Sequence, residues 1–173
     1  MKKLFLFALF VTICLNIASA QNLFDAARKN DTTAIQKAIA DKIDLNQSDE
    51  KGYSPLILAV YNNQMVAAKL LLKHGANPNQ QDRNGNTALM GATFRALPDM
   101  AALLLAHGAD VNQVNLNGAN ALIFAATFGQ DAIAKMLIEK NANQKIADNR
   151  GKTALDHAKM QENKLLIDLL EKH

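Results

Sequence analysis

Three small groups of side chains in this sequence are of the types that do chemistry. His74 and His107 stand 33 residues apart in matching surroundings, Lys-His-Gly-Ala and Ala-His-Gly-Ala, and two imidazoles are half of a zinc site. A zinc helix spaces its histidines four apart, and no Cys or third clustered ligand joins this pair. The other reading is a polar residue near a helix C-terminus, where an imidazole meets the negative end of the helix dipole. Asp82-Arg83-Asn84-Gly85-Asn86 has the oxygen-rich character of a calcium loop. Such a loop closes on a bidentate Glu, and Thr93 stands where it would fall. A hairpin turn accounts for the same residues. Asp156-His157 offers an acid and a base, but no activated nucleophile or glycine-rich phosphate cradle accompanies them. A surface helix pair is the expected reading. No catalytic, metal-binding or cofactor-binding residue is therefore assigned, and no cofactor is expected.

Composition narrows the classes further. The single cysteine, Cys14, lies in an apolar N-terminal run, which removes disulfide frameworks and thiolate chemistry from the rest of the chain. Aromatic residues make up 5% with no Trp, too few for an aromatic sugar cleft or a base-stacking platform. Hydrophobic residues at 49% of 173 suffice for the core of one domain.

Residues 1–20 read as a secretory signal peptide: Lys2 and Lys3, an uncharged apolar run from Leu4 to Leu15, and Ala18-Ser19-Ala20 as the cleavage site before Gln21. The run is well short of the roughly 20 residues that span a bilayer, so no membrane insertion is expected after cleavage. Cys14 follows Ile13 rather than the small residue of a lipobox. The lysine start and short leader suit a bacterial protein, periplasmic by preference, with secretion as the alternative. Without the two leader lysines, 17 basic residues face 16 acids, a net charge of +1. A nucleic-acid binder needs more than that.

The residues above are positioned by a period of 33. It links Gly52, Gly85, Gly118 and Gly151; Leu56, Leu89, Leu122 and Leu155; Ala59, Ala92, Ala125 and Ala158; Leu71, Leu104, Leu137 and Leu170; and Asp49, Asp82, Asn115 and Asp148. Such periods mark stacked repeats. Within a unit, Gly52 permits a tight turn, and Ser54-Pro55 supplies an N-cap and a first-turn proline. Leu56, Ala59 and Val60 give one apolar stripe, and Val66, Ala67, Leu70 and Leu71 a second at helical spacing. Gly75 ends that second helix. No unit buries its apolar face alone, so stacking makes the fold.

The pattern resembles the ankyrin repeat. The matching residues are Asp82-Arg-Asn-Gly85-Asn-Thr87-Ala-Leu89, then Leu103-Leu-Leu-Ala-His107-Gly108-Ala-Asp-Val-Asn112, and Leu70-Leu-Leu-Lys-His74-Gly75-Ala-Asn-Pro-Asn79 one unit earlier. The resemblance implies an all-α solenoid of about five helix-turn-helix units with projecting β-hairpin loops. The units would be 21–48 as N-terminal cap repeat, 49–81, 82–114, 115–147, and 148–173 as C-terminal cap repeat. The family's turn histidine is replaced by Ile57, Met90, Ile123 and Asp156, and Asn141 replaces a terminating glycine. The polar face of the last unit, with Asp156, Lys159, Gln161, Glu162, Lys164 and Asp168, suits an exposed cap.

The resemblance also implies binding of another protein through hairpin tips and the inner face of the first helices. Carried onto this sequence, the tips are Glu50, Lys51, Tyr53, Arg83, Asn84, Asn86, Leu116, Asn117, Asn149, Arg150 and Lys152. Along the first helices the candidates are Tyr61, Phe94, Arg95 and Phe128. Tyr53 and Tyr61 are the favoured anchors, because tyrosine often dominates interface energy; Phe94 and Phe128 fit equally well as packing between repeats. Lys51, Arg83, Arg150 and Lys152 form either solvated turns or a rim for an acidic protein surface. The expected function is a non-enzymatic interaction module of the cell envelope, acting as a monomer. The alternative is a dedicated stabiliser or inhibitor of one exported enzyme, such as a peroxide-defence enzyme or a toxin. A hydrolase using Asp156-His157 is a third, disfavoured reading.

Overall fold

The computed structural model describes residues 23–172; the leader expected over Met1–Ala20, Cys14 included, lies outside them. The chain alternates first and second helices: α1 (residues 23–29) and α2 (Thr32–Ala40), α3 (Pro55–Tyr61) and α4 (Met65–Lys73), α5 (Ala88–Phe94) and α6 (Pro98–Ala106), α7 (Ala121–Phe128) and α8 (Asp131–Glu139), α9 (Ala154–Met160) and α10 (Lys164–Glu171). This is the expected all-α array of about five paired units. Among the described residues no helix is long and apolar enough to cross a membrane.

Local chemistry sets each helix start. Ser54, Thr87, Asn120 and Thr153, again 33 apart, accept the backbone N–H of Ile57, Met90, Ile123 and Asp156 at 3.0–3.3 Å, which satisfies one orphan donor per helix. A left-handed residue separates the two helices of each unit: Asn30, Asn63, Ala96, Gly129 and Glu162 all have φ between +53° and +66°. A second left-handed column ends the second helices at Lys42, Gly75, Gly108 and Asn141, so Asn141 does take the terminating glycine's conformation.

The first helices α3, α5, α7 and α9 stack on one another in order, and the second helices pack behind them. Ala59, Ala92, Ala125 and Ala158 are fully buried, which lets the stacked helices approach closely, and Leu71, Leu104 and Leu137 fill the space between layers. Each such leucine contributes about 1.5–3 kcal/mol by leaving water.

The turns explain the acidic column. Asp49, Asp82, Asn115 and Asp148 each accept two backbone N–H groups of their own turn, from the residues two and four positions on, at 2.8–3.0 Å. Asp82 is buried, so the calcium-loop residues form a self-satisfied turn. Bridges between Gln81 and Thr87 and between Ala147 and Thr153 give these turns hairpin character. Neighbouring turns are stitched together. Leu116 N–H donates to the Asn84 carbonyl at 3.0 Å and Asn149 N–H to that of Asn117 at 2.9 Å. A Cβ at Gly85 would stand 2.8 Å from the Leu116 nitrogen, so no side chain fits there without moving backbone.

A further ladder runs between units. The side-chain Oδ1 of Asn46, Asn79 and Asn112 accepts the backbone N–H of Asn77, Asp110 and Asn143, each at 2.7 Å. These asparagines too are 33 apart, and sequence reasoning gave them no role.

Candidate functional site

The hairpin turns and the first helices enclose a cleft of about 290 Å3 near the C-terminal end of the stack. Ile123, Phe124, Thr127 and Phe128 of α7 form its floor, Asn117 and Ala119 come from one turn, and Asp148, Asn149 and Arg150 from the next; His157 of α9 completes it. Phe128 meets Phe94 of α5 edge to face, centroids 5.1 Å apart at 83°, and Phe124 at 5.9 Å and 51°. Both Phe94 and Phe128 are about half exposed, at 50% and 44%. Half-exposed phenyl rings carry an unfavourable hydration that another apolar surface would relieve.

The tyrosines behave otherwise. Tyr53 and Tyr61 pack on each other, centroids 5.8 Å apart, and both are partly buried against the core. Burial raises the Tyr61 phenol to about 12, with the nearby Asp82 carboxylate and Tyr53 adding to the shift. The expected ranking of anchors is therefore reversed in exposure: the phenylalanines face solvent and the tyrosines support the stack. The reason is shape, because Tyr61 lies over Gly91, whose missing side chain makes room for the ring.

The remaining candidates divide in two. Glu50, Lys51, Arg83, Leu116, Arg150 and Lys152 are exposed on the turns, Leu116 at 70%, and Arg95 is exposed as the C-cap of α5. Asn86 is partly buried and committed within the chain, donating to Asp82 Oδ2 at 3.3 Å and accepting from Asn115 Nδ2 at 2.8 Å. Asn149 donates from Nδ2 to the Leu116 carbonyl at 2.9 Å. The backbone carbonyls of Asn84 and Asn117 hold the next turn, while their side chains remain exposed.

His157 does not pair with Asp156. Its Nε2 lies 2.9 Å from Asp148 Oδ2, and the two side chains are 14% and 12% exposed; the expected surface pair is thus a largely covered histidine beside the cleft. Asp148 is held below the ordinary carboxylate range, first by the Lys152 backbone N–H and then by His157. Asp156 instead closes a capping box, accepting the Thr153 backbone N–H at 2.9 Å and hydroxyl at 2.8 Å, and these bonds lower its pKa too. His74 and His107 are the exposed C-cap residues of α4 and α6.

Sequence reasoning missed Phe124 and His157 as cleft residues. A usable sign existed: the column Leu58, Gly91, Phe124, His157 changes character at every unit, unlike the packing columns beside it.

Comparison with known proteins places these features. The family described as ankyrin repeats (3 copies) matches residues 23–115 and 98–173. Ankyrin repeat and fibronectin type-III domain-containing protein 1 of Danio rerio is 39% identical over 64 residues, which is 35% of this chain and 4% of that protein. The chain thus spans a small fraction of that relative's length.

Proposed function

Because the chain belongs to the ankyrin repeat family, we propose that it works as a non-catalytic module that binds another protein along the hairpin turns and first helices. The half-exposed Phe94–Phe128 pair carries this reading. A solvent-facing ring pair set on rigid helices loses little ordering entropy when a partner covers it. The leader features of Met1–Ala20 support export, and the lysine start supports a bacterial cell envelope as the place of work.

The test is affinity capture from a cell-envelope extract on the immobilised full chain, beside a variant carrying Phe94→Ser and Phe128→Ser. One protein retained by the first column and lost on the second is the expected result. Equal retention on both columns would overturn the surface assignment. N-terminal sequencing of the exported protein should begin at Gln21, and an uncleaved Met1 would remove the export reading.

A further inference from the structure

We propose that the segment received by the α7 cleft is acidic and carries a large apolar side chain; this rests on the binding reading above and specifies its partner. Two independent features of the surface lead there.

The first is an asymmetry in which charges are exposed. The hairpin turns expose Lys51, Arg83, Arg150 and Lys152, and Arg95 is exposed at the opposite end of α5 from its turn. Among the described residues none of these five forms an ion pair with a carboxylate. The acids of the same turns keep their charge but are largely covered. Asp82 and Asp148 accept backbone N–H groups, and Asp49 takes Arg28 at 3.1 Å. Glu50 is the one exposed carboxylate on the turns. Second helices and outer loops expose both signs, Asp99, Asp110 and Glu139 beside Lys69, Lys135 and Lys145. Turns whose acids are covered and whose exposed charges are mostly basic present cations to a partner, and arginine binds carboxylates through paired hydrogen bonds.

The second is the shape of the apolar floor. Phe94 and Phe124 both lean against Phe128 at steep angles, so the rings make no flat platform on which bases could stack. They leave instead a slot with room for a large apolar side chain, lined beyond its rings by Ile123, by Arg150 and by Asp148, whose carboxylate is paired with His157. An apolar anchor in the slot places its flanking residues beside Arg150. That geometry matches a mixed acidic and apolar peptide better than a nucleic acid.

The test is selection from a random peptide display library on the full chain, followed by affinity measurement of the most enriched peptide. Net-negative sequences containing Leu, Phe or Trp are expected. Their affinity should fall at least about tenfold with Arg83→Glu plus Arg150→Glu, and fall likewise as salt rises from about 0.05 M to about 0.5 M. Phe128→Ser should weaken the same peptide, and helical circular dichroism verifies that each variant is folded. Neutral or basic winners, or no enrichment, would overturn the proposal. A winner lost with Phe128→Ser but indifferent to charge reversal removes the acidic partner and leaves the binding surface standing. A winner indifferent to both variants removes the surface as well. Tighter binding of a labelled thymidine oligonucleotide, abolished by the charge reversals, would assign the edge to nucleic acid instead.

Discussion

The ring of Tyr61 lies over Gly91, so close that a Cβ at the glycine would stand 3.3 Å from Tyr61 Cζ. One unit later Phe124 occupies the position of Gly91, and Phe94 occupies that of Tyr61. Glycine below a ring buries it, whereas a phenylalanine at that place leaves no recess, and Phe94 stays half exposed. A single column thus decides which rings are structural and which face solvent.

Filling the recess should expel the tyrosine. In Gly91→Phe, the Tyr61 phenol is expected to fall from about 12 toward the ordinary value near 10, read from tyrosinate absorbance during alkaline titration. In the parent chain the neutral phenol is the folded form, so stability from Tyr61 is full below the unfolded value near 10 and declines as pH rises toward 12. An unchanged titration in the variant would mean that the glycine is not what buries the ring.

Tyr61→Ala should lower the urea midpoint, by about 2–4 kcal/mol in stability for a partly buried aromatic. Phe94→Ser and Phe128→Ser should each cost less, about 1–2 kcal/mol, since each ring is half exposed but packs on another. The opposite order would place the phenylalanines in the core and the tyrosines at the surface.

Two turn glycines separate strain from collision. Gly85 and Gly151 have similar positive φ values, 76° and 72°, yet a Cβ at Gly151 meets nothing within 4 Å. Gly151→Ala should cost the left-handed strain alone, about 1–2 kcal/mol. Gly85→Ala should cost clearly more, because the Leu116 backbone must move. Ala96, exposed at φ 55°, supplies the converse: Ala96→Gly should stabilise by up to about 1 kcal/mol in urea unfolding.

Acid unfolding should report on Asp148. Its carboxyl is lowered in the fold, so the stability it contributes is complete above the unfolded value near 3.9 and is lost as pH falls through the lower folded value. His157→Ala removes one of the causes and should move the acid midpoint upward. Asp148→Asn should keep the turn, since Asn115 performs the same two backbone contacts one unit earlier, but it should flatten the pH dependence below 4. An acid midpoint identical in all three proteins would remove Asp148 as the titrating group.

The asparagine ladder should be worth measuring at Asn79, whose side chain also donates to the Gly108 carbonyl at 3.1 Å. Asn79→Ala is expected to cost about 0.5–1.5 kcal/mol, because both bonds lie at the surface and water takes the freed Asp110 N–H and that carbonyl. Asn79→Asp restores the acceptor but not the donor and should recover part of the loss.

The stack, its period and its helix pairs were legible because packing repeats: the same leucine, alanine and glycine columns meet the same neighbours in every unit. Asn46, Asn79 and Asn112 were equally periodic, but their partner is a backbone N–H, which any residue supplies, so no second column marked the bond. Exposure of the rings was hidden for a different reason. It depends on what the next unit places opposite, Gly91 for Tyr61 and Phe124 for Phe94, and that pairing becomes visible only once the helices are stacked. The partner of His157 was misplaced because Asp156 is adjacent in sequence, while Asp148 reaches the imidazole across the turn.

The ladder also has an end. Lys145 stands where the next asparagine would fall, so the last side-chain rung is the one from Asn112 to Asn143. The C-terminal pair is fastened by other bonds, Asn163 Nδ2 to Asp131 Oδ1 at 2.7 Å and the Asn149 N–H to the Asn117 carbonyl at 2.9 Å. Every rung of the ladder runs forward, from a side-chain oxygen on one loop to a backbone N–H on the next, so the loops lie like a row of shingles, each course held by the one laid before it.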